Sequence, residues 1–289
     1  MTPPAAPLVV VDVPKLPPRA ADAHKGTFGR VLVVAGSVGL SGAAALAGTA
    51  ALRGGAGLVQ VATPAPVAGL VAAAQPCLMT AWLAADRGGR LAQAALPELL
   101  ALADAATAVV VGPGLGQSVA LKSMVPALLH HVRRPLVLDA DGLNALGRQL
   151  EPLTARGAPT ILTPHPGEFG RLTGRDTKEV QADRQGVALE FARRHGVVLV
   201  LKGAGTVVTD GGRLYTNTTG NPGMATGGTG DVLAGLLGAL LAQGVPPFDA
   251  AVMGAYLHGR AGDLARDRLG EVSLIATDLL EHLPAAFAT

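Results

Sequence analysis

The 289-residue sequence holds a single cysteine, Cys77. One thiol excludes an intramolecular disulfide and any metal centre built from several cysteines. Its neighbours Pro76 and Leu78 point to a buried structural thiol rather than a nucleophile. Aromatic residues make up only 3% of the chain. With so few rings and no basic run, a nucleic-acid surface is not expected. Charge of either sign is thinly spread, with 23 Lys and Arg against 21 Asp and Glu, a net of +2. No apolar run reaches the roughly 18 residues of a membrane span. The start, Met1-Thr2-Pro3-Pro4, lacks a basic stretch followed by an apolar core, so no signal peptide is expected. The cytoplasm is then the expected compartment. Also missing are a Gly-x-x-x-x-Gly-Lys-[Ser/Thr] phosphate loop and the spacing of a dinucleotide fingerprint.

Small and aliphatic residues are abundant instead. Hydrophobic residues make up 49% of the chain, and 39 glycines permit tight turns and close backbone approach. Short β-branched runs at 30–35, 57–62, 108–111, 135–139, 160–162 and 197–201 read as strands. Most are apolar throughout, as parallel strands covered on both faces must be. Helices are expected over 42–53, 89–102, 119–131, 178–195 and 231–243. The alternation predicts an α/β fold with a mainly parallel central sheet between helix layers. Gly211-Gly212, between apolar runs at 206–210 and 213–218, predicts a hairpin near a sheet edge. Residues 249–282 read as two terminal helices separated at Gly270. The proline-rich residues 1–23 read as an extension draped over the surface, with 24–289 as a single domain.

Ligands in such sheets collect beyond the carboxyl ends of the strands, where the glycine clusters fall. Asn221-Pro-Gly-Met-Ala-Thr-Gly-Gly-Thr-Gly-Asp231 runs straight into an apolar helix. Gly227, Gly228, Thr229 and Gly230 leave backbone amides bare at the positive end of a helix dipole, which favours an anion. Asp231 would repel a phosphate by itself. It makes sense as a base taking a proton from a substrate hydroxyl, or merely as a helix cap. Lys202, Gly203, Ala204, Gly205 and Thr206 follow an apolar strand and suit phosphate or ribose oxygens; a plain hairpin turn is the competing reading. Gly112-Pro-Gly114-Leu-Gly116 is a rigid turn after another strand, with or without a ligand. Asp139 and Asp141 end a further strand, either as carboxylates that hold Mg²⁺ through water or as solvated turn acids. His165, fixed between Pro164 and Pro166, reads as a positioning or hydrogen-bonding residue, with Glu168 capping the helix after it. His130 and His131 suit a helix end, and the remaining histidines look ordinary.

In order along the chain, His24-Lys-Gly-Thr-Phe-Gly-Arg30, Gly54-Gly-Ala-Gly-Leu58, Gly112–Gly116, Asp139–Asn144, Thr163-Pro-His-Pro-Gly-Glu168, Lys202–Thr206 and Asn221–Gly235 resemble the ADP/ATP-dependent NAD(P)H-hydrate dehydratases, a branch of the ribokinase-like superfamily. The likeness runs from about His24 to about Asp263. It implies a ribokinase-like three-layer α/β/α fold. It also implies repair of hydrated NADH and NADPH in the S-epimer: a nucleotide phosphorylates the ring hydroxyl, and phosphate leaves as the double bond re-forms. Bacterial members typically use ADP and yield AMP; eukaryotic members favour ATP. Carried over by motif, Lys202, Gly203, Ala204, Gly205, Thr206 and Gly227–Gly230 would bind the nucleotide. Ala43, Gly112, Gly114, Gly116, His165 and Asp231 would contact the hydrated dinucleotide, with Asp231 as the base. Mg²⁺ is implied as the nucleotide's companion, though the motifs assign no metal ligand. Homotetramers are common in the family. An epimerase is often fused ahead of this domain; with about two dozen residues before the first motif, it is expected here as a separate protein. A thiamin-precursor or sugar kinase of the same superfamily is the alternative, since it shares the Gly-x-Gly-Asp helix start. A nucleotide sensor would have no need of an acid at 231.

Overall fold

The computed structural model describes residues 6–288. Ten strands form one sheet: β1 (Leu8–Val9), β2 (Arg30–Val34), β3 (Leu58–Pro64), β4 (Met79–Leu83), β5 (Ala108–Val111), β6 (Leu136–Leu138), β7 (Thr160–Leu162), β8 (Val198–Leu201), β9 (Val207–Thr209) and β10 (Arg213–Thr216). Their order is β1-β10-β9-β8-β7-β6-β5-β2-β3-β4. All neighbours pair in parallel except β8–β9 and β9–β10, the hairpin predicted at Gly211-Gly212. The helices are α1 (Ser41–Arg53), α2 (Ala65–Ala74), α3 (Leu96–Asp104), α4 (Val119–His131), α5 (Ala140–Leu146), α6 (Glu151–Ala155), α7 (Pro166–Thr173), α8 (Thr177–Ala182), α9 (Arg184–His195), α10 (Thr229–Ala242), α11 (Pro247–Leu269) and α12 (Ala276–Phe287). They cover both faces of the sheet, which makes the three-layer α/β/α architecture.

One face packs against α1, α10, α11 and α12, the other against α3, α4, α7 and α9. Strands β2 and β5 are apolar because each lies between these two cores. Residues Val232 to Ala242 of α10 are all buried. An apolar helix surface of this kind belongs inside a large core, each buried Leu contributing about 1.5–3 kcal/mol. Glycine lets α10 lie backbone to backbone on α1, since a Cβ at Gly235 would come within 1.9 Å of the Ala47 carbonyl oxygen. Among the described residues no helix is long and apolar enough to cross a membrane.

Several expectations need correction. The extension runs along the surface and in addition adds β1 to the sheet edge beside β10, with Val10, Val13 and Leu16 packed on the core. The helix expected over 89–102 begins only at Leu96, because Asp86 gathers the Gly88 and Arg90 amides into a turn. The helix expected over 178–195 is two helices. Asp183 ends α8 and caps α9 through the Gly186 amide. Cys77 is exposed rather than buried, and Leu78 is the residue that turns inward. Strand β4 and helix α2 were not anticipated. Exposed Trp82 and Met79 give β4 the alternating burial of an edge strand instead of an apolar run.

Candidate active site

The carboxyl ends of β6, β7 and β8 open into a cleft of about 940 Å³, lined among others by Asp139, His165, Lys202, Gly230, Asp231 and His258. Asp139 follows β6 and is 1% exposed. It is not a solvated turn acid: Oδ1 accepts from the Thr163 hydroxyl at 2.6 Å and the Lys202 ammonium at 2.8 Å. Its Oδ2 is buried and unpartnered. The next residue, Ala140, is the sole non-glycine with positive φ among the described residues, at 45°. Strained backbone of this kind persists where the surroundings hold it in place.

Lys202 leaves the end of β8 and turns inward, with Glu168 Oε2 at 3.8 Å as a second acid. Burial alone would lower its pKa. The carboxylates of Asp139 and Glu168 outweigh burial, so the net shift is upward and the ammonium stays charged. His165 caps α7: Nδ1 accepts from the Gly167 and Glu168 amides, and Glu168 returns the favour to the His165 amide. Nδ1 is therefore unprotonated, and in the neutral ring the proton sits on Nε2. Burial lowers the His165 pKa, Glu168 opposes this and Lys202 assists it. The expected cap is thus reciprocal: His165 and Glu168 cap the same helix together.

Helix α10 starts at Thr229 behind Gly228, a left-handed cap with φ 93°. The amides of Thr229, Gly230 and Asp231 have no partner among the described residues. Three such donors at a helix start can receive an anion. Asp231 sits on the same turn. Its pKa is raised to about 7, first by burial, then by Asp139, with Lys202 pulling the other way. A carboxylate poised near neutrality is suited to proton transfer.

The residues expected to contact the dinucleotide fall into two groups. His165 and Asp231 line the cleft; Ala43, Gly112, Gly114 and Gly116 do not. Of these, Ala43 and Gly114 meet at the start of α1. A Cβ on Gly114 would touch that of Ala43 at 2.8 Å, and Leu46 of α1 lies against Gly228. Gly112 is needed for packing, since a side chain there would meet the Asp139 carbonyl oxygen at 1.8 Å. The Gly116 amide donates to Asp141 Oδ2. Gly203, Ala204, Gly205 and Thr206 line the cleft, as do Gly227, Gly228, Thr229 and Gly230. By contrast, His24–Arg30 and Gly54–Leu58 precede β2 and β3, at the end of the sheet away from the cleft, and pack there. A Cβ on Gly57 would strike the Lys25 carbonyl oxygen.

Sequence reasoning passed over Asn217, His258 and Asp263. Asp263 accepts from the Gly220 amide and Asn221 Nδ2, which tethers the loop ahead of α10. Asn217, buried, ties that loop to the Ala255 carbonyl oxygen. None of these three carries a local motif, because each makes a contact to a residue 29 to 43 positions away that fixes its place.

The sequence pattern of NAD(P)H-hydrate dehydratases matches residues 31–285. The chain belongs to the NAD(P)H-hydrate dehydratase family. A bifunctional NAD(P)H-hydrate repair enzyme of Moorella thermoacetica is 47% identical over 271 residues, 93% of this chain and 51% of that protein. The chain spans about half the length of such bifunctional relatives. An ADP-dependent (S)-NAD(P)H-hydrate dehydratase of Neisseria meningitidis is 42% identical, over 93% of this chain and 87% of its own. The crystal structure of the Bacillus subtilis ADP/ATP-dependent NAD(P)H-hydrate dehydratase, co-crystallized with ATP and Mg²⁺, superposes with a TM-score of 0.82 at 36% identity, covering 95% and 94% of the two chains. The fold is ribokinase-like, as the resemblance implied.

Proposed function

We propose that the chain converts the S-epimer of hydrated NADH or NADPH back to the reduced dinucleotide, with ADP as phosphoryl donor and AMP and phosphate as products. The observation that carries this is Asp231, with its pKa raised to about 7, on the same turn as three bare amides and facing the cationic Lys202. The Asp231 carboxylate takes the proton of the ring hydroxyl as its oxygen attacks the β-phosphorus of ADP. The amides of Thr229, Gly230 and Asp231 hold the phosphoryl oxygens in transit, and Lys202 faces the same charge. The β-phosphorus–oxygen bond to AMP breaks. The phosphorylated ring then expels phosphate, and loss of a ring proton restores the double bond. Gly203–Thr206 form the nucleotide rim. His165 offers a neutral Nε2–H to the dinucleotide, and Ala43 and Gly112–Gly116 form a glycine-lined approach to it.

Mg²⁺ fits this donor set as an ion carried on nucleotide phosphates. No group of three acids or histidines among the described residues could hold a metal unaided. One buried carboxylate oxygen, Asp139 Oδ2, lacks a partner and could meet such an ion through water. When bound, the ion would neutralise phosphate charge. Homotetrameric assembly, a cytoplasmic location and cooperation with an epimerase activity are proposed on the family resemblance.

The test is to incubate the protein with (S)-configured hydrated NADPH and ADP while following reduced-nicotinamide absorbance. Recovery, with AMP formed in step, supports the reading. Phosphorylation of an alcohol substrate without recovery would return the chain to the small-molecule kinases. Asp231→Ala should abolish turnover while largely sparing nucleotide binding; undiminished turnover would remove Asp231 as the base.

A further inference from the structure

Helix α11 holds the glycine-rich segment along its length. Asn217 Nδ2 donates to the Ala255 carbonyl oxygen at 3.2 Å, and the Thr219 hydroxyl to that of Tyr256 at 2.8 Å. Asp263 takes the Gly220 and Asn221 donors. Gly259 and Gly262 leave room for Thr219 and Met224, which would collide with any Cβ there. Between these anchors one side chain reaches α10 itself: His258 Nε2 lies 2.8 Å from the Thr229 carbonyl oxygen.

A carbonyl oxygen only accepts, so Nε2 carries the proton. Burial pushes the His258 pKa down to about 4; the Thr229 bond opposes this and Lys202 reinforces it. The ring therefore stays neutral in the pH range where Asp231 titrates. Thr229 and Gly230 share a planar trans peptide, in which C=O and N–H point in opposite directions. A donor that fixes the carbonyl oxygen toward α11 turns the Gly230 N–H away from α11. That amide has no partner among the described residues. Gly230 also faces the charged groups of the site, since a Cβ built on it would lie 3.3 Å from Lys202 Nζ and 3.9 Å from Asp139 Oδ2.

We infer that His258 is a positioning residue for phosphoryl transfer: by holding the Thr229 carbonyl oxygen it aims the Gly230 amide at the phosphoryl group in transit. This rests on the dehydratase reading of the site. A misaimed donor in an anion hole reduces the rate of transfer more than it reduces ground-state binding.

The experiment compares the full-length protein with three variants in the hydrated-NADPH and ADP assay, together with ADP binding by calorimetry and thermal melting. His258→Leu, which cannot donate, should lose about 10- to 100-fold in kcat while the Kd for ADP changes by less than about threefold. His258→Gln places an amide N–H where Nε2 stood and should recover most of kcat. His258→Asn places its amide nearer the Nδ1 position and should behave like the Leu variant. If the Leu variant fails to fold, the Gln and Asn pair still decides. An active wild type with an equally active Leu variant refutes the role of His258 alone, as does rescue by Asn without rescue by Gln. A wild type that restores no NADPH refutes the dehydratase reading, and this inference with it.

Discussion

Replacing Asp231 with Asn tests the site through stability as well as catalysis. In the unfolded chain the carboxyl titrates near 3.8, and in the fold near 7. A folded pKa above the unfolded one means that the native state binds the extra proton between those values. Stability from this group is therefore full below about pH 4 and is lost as pH rises through 7. A shift of about three units corresponds to roughly 4 kcal/mol, an upper figure because water enters the cleft. Asn is close in shape to the protonated acid and cannot ionise. Asp231→Asn should match the wild type to within about 1 kcal/mol at pH 4 and exceed it by up to about 4 kcal/mol at pH 8. For a chain of this length each kcal/mol moves Tm by roughly 2 °C. Melting curves at pH 4, 6 and 8 would show a gap that widens with pH, while turnover falls by about 10²- to 10⁴-fold. A variant that melts with or below the wild type at pH 8 would show that the carboxylate is not strained by its surroundings, and the assignment of Asp231 as a neutral-pH base would fall.

Three further outcomes follow from the same geometry. Lys202→Met removes the cation that lowers the Asp231 pKa, so the acidic limb of the kcat profile should move to higher pH and kcat should fall by about 10²-fold; an unmoved limb would count against the coupling. Gly235→Ala gains helix propensity of about 1 kcal/mol but drives a Cβ into the Ala47 carbonyl oxygen at 1.9 Å; the collision should win, with calorimetry showing a net loss of about 1–3 kcal/mol. Ala140→Gly relaxes the left-handed conformation at φ 45° and should be neutral or stabilising by up to about 1 kcal/mol in denaturant titration, against the usual penalty of glycine in a helix.

The strands that carry the site were legible because burial on both faces leaves a continuous apolar run, as in Ala108–Val111 and Val198–Leu201. Strand β4 was not, since one of its faces is open to water and Trp82 stands out at 65% exposure. The acid at 231 and the glycines before it could be read locally, because a helix start and its cap lie within a few residues of each other. What those residues meet could not. Lys202 finds Asp139 across 63 positions, and His258 finds Thr229 across 29. Such pairings are set by which strands lie side by side, and no periodicity records that. The same limit explains His24–Arg30 and Gly54–Leu58. They carry the family resemblance, yet Gly29 and Gly57 serve backbone contacts at the far end of the sheet.

The bare contact between α1 and α10 also bears on how the cleft can adapt to what it binds. Gly235 lies directly on Ala47 and Leu46 against Gly228, so the amide-bearing turn rests on close packing, like an anvil. Any adjustment of the cleft then falls to its rims, residues 203–206 and 217–227. Rigid bracing of those rims, by a disulfide or by proline, should slow entry and release while leaving the chemical step on the anvil untouched.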